Sequence, residues 1–132
     1  MNYVETIGGK KYQRQLAEQV VDFCIRSLMP RYSTLDISVN IDDLNKDNVK
    51  GWCMSICQRE FEIEVDKNQS DENLIKTICH EMVHVWQHAS GKLYCDHWNN
   101  VDHTETEYAK RPWEIQAYEM EETLQKKFLS RK

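Results

Sequence analysis

The apolar residues of this chain change their repeat twice, and that change limits the fold more than any single residue does. Over 10–28 they recur every three to four positions: Tyr12, Leu16, Val20, Phe23 and Cys24 share one helical face, widened by Val21, Ile25 and Leu28. Pro30 ends this helix, because the residue before a proline is pushed out of helical geometry. The period then becomes two. Leu35, Ile37, Val39 and Ile41 alternate with Asp36, Ser38 and Asn40, which marks a half-buried strand. Residues 42–48 read as a turn by composition. A second strand at 49–57 places Trp52, Met54 and Ile56 on one face. A third alternates Phe61, Ile63 and Val65 with Glu60, Glu62, Glu64 and Asp66, and the short Gln58-Arg59 link suits a hairpin. Helical spacing returns over 70–90, where Ser70 can cap, Asp71 and Glu72 suit the positive end of the dipole, and Gly91 is a natural stop. Its stripe is Ile75, Ile78, Met82, Val85 and Ala89, widened by Leu74 and Trp86. Residues 92–110 read as irregular and polar. Pro112 opens a last helix to about residue 129, with Trp113, Ala117, Met120, Leu124 and Phe128 on one side. The expected class is α+β: helix, three-stranded antiparallel or mixed sheet, helix, long loop, C-terminal helix.

The chain has 132 residues, which fits one domain over 1–132 and can bury a core without covalent staples. No apolar run approaches the ~20 residues of a membrane helix, and the first ten residues lack the apolar core of a secretory leader. The net charge of −5 argues against a general nucleic-acid binder. Five scattered cysteines, Cys24, Cys53, Cys57, Cys79 and Cys95, do not form a disulfide framework and read as reduced thiols. Cys53 and Cys57 lack the second pair that a structural zinc site of ribbon type needs. The expectation is a cytoplasmic protein with no membrane and no nucleic-acid partner.

One constellation carries chemistry. His80-Glu81-Met82-Val83-His84 is HExxH within a helical stretch. Residues four apart lie one turn up the same face, so two imidazoles can reach one metal ion, and Glu81 between them can act as general base. Chance supplies roughly 0.02 matches of this pattern in a chain of this composition. A catalytic zinc takes three protein ligands and leaves one position open. His88 lies a further turn along the same helix, too far to converge with His80. Glu114 is the preferred third ligand, since a long loop can bring its helix across the first and Ala117 lets the helices approach. Its simpler reading is a carboxylate favouring its own helix N-terminus, and spacing leaves the two even. His97 and His103 are the histidine alternatives.

The stretch from Thr77 to His88, followed by Arg111-Pro112-Trp113-Glu114-Ile115-Gln116-Ala117-Tyr118, resembles small phage-type metallopeptidases that carry HEMVHV and a later PWExEA segment. It also resembles a minimal gluzincin, a zincin in which two HExxH histidines and a Glu from a following helix bind zinc. This resemblance implies Zn2+ on His80, His84 and Glu114, with Glu81 as base, and a host-cytoplasmic setting if phage-encoded. Gln116 stands where the phage-type segment often has Glu, and 29 residues separate His84 from Glu114, more than in familiar gluzincins. A more distant resemblance is to SprT-like proteases, whose third ligand is a downstream His; their cysteine-rich ribbon and basic character are missing here.

The expected function is a small zinc-dependent metallopeptidase acting on a peptide or protein substrate through a zinc-activated water. Tyr118 is the leading candidate to stabilise the oxyanion, with Tyr108, His97 and His103 behind it. The alternatives are an SprT-like protease and a non-catalytic, metal-stabilised binding module. Strand 60–66 is a candidate edge over the cleft, where its glutamates would favour basic peptides; more simply, those charges block edge-to-edge pairing. Glu119, Glu121 and Glu122 read as solvated helix surface, and Trp86, Trp98 and Trp113 as packing beside the motifs. The length of 92–110 suggests a functional loop.

Overall fold

The computed structural model describes residues 1–45 and 49–131. Residues 46–48 of the expected turn lie outside the described residues. In chain order the elements are β1 (Tyr3–Gly8), α1 (Lys11–Leu28), β2 (Asp36–Asp42), β3 (Gly51–Cys57), β4 (Glu60–Asp66), α2 (Asp71–Ala89), the short strands β5 (Leu93–Tyr94), β6 (His97–Trp98) and β7 (Val101–Asp102), a 3₁₀ turn at Tyr108–Lys110, and α3 (Pro112–Leu129). The class is mixed α+β, as expected, with a main sheet of four strands rather than three.

The added strand is β1. It runs parallel to β2 from Tyr3↔Asp36 to Gly8↔Ile41. It is an edge strand, with Tyr3 and Ile7 exposed and Val4 packed on the core. Its weak alternation leaves little period-two signal, which is why sequence patterning misses it. Gly8 and Gly9, both at positive φ, turn the chain from β1 into α1. A Cβ on Gly8 would strike the Ile41 carbonyl.

The sheet order is β1-β2-β4-β3, with β4 parallel to β2 and antiparallel to β3. Strand 60–66 is therefore internal, and the expectation that it forms an edge over the cleft is corrected: the β3–β4 hairpin folds back so that β3 takes the outer place. Ile37, Val39 and Ile41 pair in register with Phe61, Ile63 and Val65, and all six are buried on one face beneath the helices. The Glu62 and Glu64 side of β4 faces away. Register also decides which face of β3 turns inward. Trp52 and Met54 lie opposite Glu64 and Glu62 on the outer face, while Cys53 opposes Ile63 and packs on the core. Met54 is 52% exposed.

The helices cover one face of this sheet, and α2 lies between α1 and α3. Its three-sided packing accounts for near-continuous burial from Leu74 to Val85. On α1 the buried line is Gln13, Ala17, Val20, Val21, Cys24 and Ile25, so Tyr12, expected inside, is exposed. The Phe23 and Phe128 rings meet edge to face at 5.5 Å and tie α1 to α3. Ser70 caps α2, its Oγ accepting from the Asn73 N–H at 3.2 Å, and Gly91 follows the helix at φ +81°. The segment expected to be irregular is partly ordered: β5, β6 and β7 form a small antiparallel meander. Its turns place Cys95–Asp96 and Asn99–Asn100 at positive φ, as tight hairpins of the I′ kind require. Two-residue strands carry no periodicity for a sequence to show. Among the described residues, no helix is long and apolar enough to cross a membrane.

Candidate metal centre

The HExxH segment sits in the middle of α2, and Pro112 starts α3 so that Glu114 falls in its first turn. Ala117 is fully buried, and α3 packs against α2 there. His80, His84 and Glu114 come together, each with a ligand-type atom within 4.8 Å of the others. Among the described residues this is the one group of three or more such side chains. All three are buried.

The contacts converge on one atom. Glu114 Oε1 lies 3.1 Å from His80 Nε2 and 3.2 Å from His84 Nε2, and it accepts a hydrogen bond from the Tyr108 hydroxyl at 3.0 Å. On the far side of His84, Nδ1 lies 2.8 Å from Gln87 Oε1. On the far side of His80, Nδ1 faces Glu121 Oε2 at 3.5 Å and has no hydrogen-bond partner. The two rings meet edge to face with centroids 4.9 Å apart.

Burial alone would push His80 down, but its hydrogen bond to Glu114, the Glu121 carboxylate facing Nδ1, and the charges of Glu81 and Glu114 raise it to about 9. Burial works against ionisation of Glu114 too, yet its bonds to His80, His84 and Tyr108 hold it well below the usual carboxylate range. Burial raises Glu81, and the adjacent histidines only partly offset this. Burial, then Tyr118 and Glu114, keep the Tyr108 phenol protonated far above its ordinary range.

This arrangement fits a metal. If both imidazoles are neutral and carry their hydrogen on Nδ1, two bare Nε2 lone pairs face a carboxylate oxygen, and three acceptors need a cation among them. Protons can serve, as the raised His80 indicates. A divalent ion serves all three atoms at once, and two histidines with one carboxylate are a common ligand set for it.

The site opens on a cleft of about 500 Å³, whose lining includes Lys50, Lys76, His80, Glu81, Tyr108 and Tyr118. Gly51 allows β3 to approach α2 closely here, since a Cβ would fall 2.7 Å from Thr77 Cγ2. Tyr118 is 53% exposed, and its ring packs against His80 at a tilt of 58°, with centroids 4.6 Å apart. Tyr108, ranked behind it from sequence, is the tyrosine that bonds Glu114.

The other candidates lie elsewhere. Exposed His97 bonds the Cys95 carbonyl at 2.9 Å, and His103 bonds Thr106 Oγ1 at 3.1 Å beside the Trp113 ring. His88 is half-buried near Phe61 rather than on the surface. Cys57 is exposed and Cys53 half-buried. Glu119 and Glu122 are solvated as expected, but Glu121 is buried against His80, which corrects its reading as surface. Glu114, Ala117, Glu121, Leu124 and Phe128 follow helical spacing along one buried line, but a glutamate on such a line reads as surface until the facing helix is known. Gln87, fully buried, is the other residue that sequence reasoning passed over.

Comparison with known proteins adds no relative: no family model matches the chain, and neither does any curated protein or solved structure.

Proposed function

We propose that this chain is a small zinc-dependent metallopeptidase of minimal, gluzincin-like zincin type. The observation that supports this reading best is the facing of His80 Nε2 and His84 Nε2 on Glu114 Oε1, at 3.1 and 3.2 Å, with Glu81 beside them at the cleft. His80, His84 and Glu114 would hold the metal. Bound there, zinc supplies a Lewis acid that polarises the scissile carbonyl and lowers the pKa of water.

The remaining work falls to the chain's own side chains. Glu81, with its carboxyl raised by burial, takes a proton from the attacking water and returns it to the leaving amine. Tyr118, exposed at the cleft beside His80, donates a hydrogen bond to the developing oxyanion, while the single hydroxyl hydrogen of Tyr108, held protonated, is given to Glu114. Peptide or protein is the substrate class. The SprT-like alternative draws no support from His97 and His103, which lie outside the cluster.

The test is elemental analysis of untagged protein together with hydrolysis of a broad peptide library. Wild type should carry one zinc per chain and cut peptides. Glu81→Gln should keep zinc and lose hydrolysis, and Glu114→Ala should lose the metal. Zinc binding with no peptide cut would instead favour a metal-stabilised binding module.

A further inference from the structure

Gln87 is 0% exposed, a polar side chain where an apolar one would ordinarily pack. It lies one helical turn beyond His84, and every contact of its carboxamide is directed at the site. Nε2 donates to the Trp113 carbonyl at 3.0 Å and to Gln116 Oε1 at 2.9 Å, while Oε1 lies 2.8 Å from His84 Nδ1.

These partners decide which way the amide points. The Trp113 carbonyl can only accept, so the amide nitrogen must face α3. The amide oxygen therefore faces His84. That oxygen can only accept, so His84 Nδ1 must carry a hydrogen. Whatever the charge on the ring, its other nitrogen is left as the one aimed at Glu114. Trp113 and Gln116 lie on either side of Glu114 in the first turn of α3. One fully buried amide thus grips the second HExxH histidine with one end and the turn carrying the carboxylate with the other. His80 has no such support, since its Nδ1 has only Glu121 at 3.5 Å.

We infer that Gln87 is a positioning residue of the site. It fixes the His84 ring with Nε2 toward Glu114, and it holds Glu114 in register with both histidines. Its effect on metal affinity rests on the metal reading proposed above; its effect on the His84 ring does not.

The test uses full-length wild type, Gln87→Met and Gln87→Glu, with 15N-labelled histidine. Two quantities are followed: the low-field Nδ1–H resonance of His84 in metal-free protein, and zinc affinity by competition with a chromogenic chelator. The resonance should be present and slowly exchanging in wild type. It should persist in Gln87→Glu, which keeps an acceptor for it, and move upfield or vanish in Gln87→Met. Zinc affinity should fall about 10- to 100-fold in Gln87→Met, the usual range for a group that orients a ligand. It should fall less in Gln87→Glu, which restores the histidine contact but not both bonds to α3. A folded Gln87→Met with an unchanged resonance and wild-type affinity overturns the inference. If Gln87→Met does not fold, loss of the resonance in Gln87→Glu overturns it equally. If wild type itself binds no zinc, the metal reading fails, and the resonance alone decides the role of Gln87.

Discussion

Glu114 Oε1 receives three contacts, from His80, His84 and Tyr108, so the protonation of its neighbours governs what the site can hold. In metal-free protein His80 is raised to about 9. A raised histidine stabilises the fold fully below its unfolded value near 6.5, and this contribution fades as pH climbs through 9. The lowered Glu114 contributes above the ordinary carboxylate range and loses its contribution as pH falls below it. A bound metal needs the neutral imidazole, so binding below pH 9 must expel the His80 proton. Zinc affinity should therefore rise with pH through neutrality and level off above about 9. Calorimetry at pH 8 in buffers of different ionisation enthalpy should read close to one proton released per zinc. Equal apparent binding enthalpies across those buffers would mean that no proton is released and that His80 is already neutral in the apo protein. At this scale the sequence was legible where spacing alone encodes geometry, as in His80 and His84. Glu121 and Gln87 were not, because their roles depend on which helix faces which, and a polar residue on a buried line looks like surface until its partner is known.

Elements with a strong repeat were legible to within a few residues: α1, β2, β4, α2 and α3 all lie near their expected limits. Where burial depends on a neighbour, alternation alone leaves the inward face open. The outer face of β3 carries Met54 and Ile56, and the same alternation would serve with either face inward. The choice is made by pairing with β4, which sends Cys53 inward alongside Ile63. Two substitutions separate these faces. Met54→Lys should change unfolding free energy by no more than about 0.5 kcal/mol, as is usual for an exposed position. Ile63→Ala should cost about 2–5 kcal/mol, because Ile63 is 1% exposed and its removal leaves a cavity. Urea titration of both would expose a one-residue slip of β3, since Met54 would then turn inward and Met54→Lys would become costly, while Ile63, held opposite Val39, would keep its cost. The two-residue strands β5 to β7 and the half-exposed β1 belong to the same class, being short or weakly alternating elements fixed by their partners.

At the scale of the whole molecule, α2 is held from three sides, whereas α3 reaches it only after the connection over 92–110. Ala117, Leu124 and Phe128 give α3 its apolar hold, and Glu114 adds the polar one. Because the ligands come from both helices, a metal can bind all three only when α3 is docked, and binding must stabilise the docked state. With free zinc at about 100 times its dissociation constant the gain is about 2.7 kcal/mol. For a chain of this length that corresponds to a melting shift on the order of 10 °C. Stripping wild type with a chelator should lower its melting temperature by roughly that amount, while Glu114→Ala should melt alike with and without chelator. Hydrogen exchange locates the effect. Amides of α3 should exchange faster in stripped wild type, and those of β2, inside the sheet and away from the site, should not. If α3 protection stays unchanged on stripping, the metal and the docking of α3 are uncoupled, and the apolar contacts together with the Gln87 hydrogen bonds hold that helix in place.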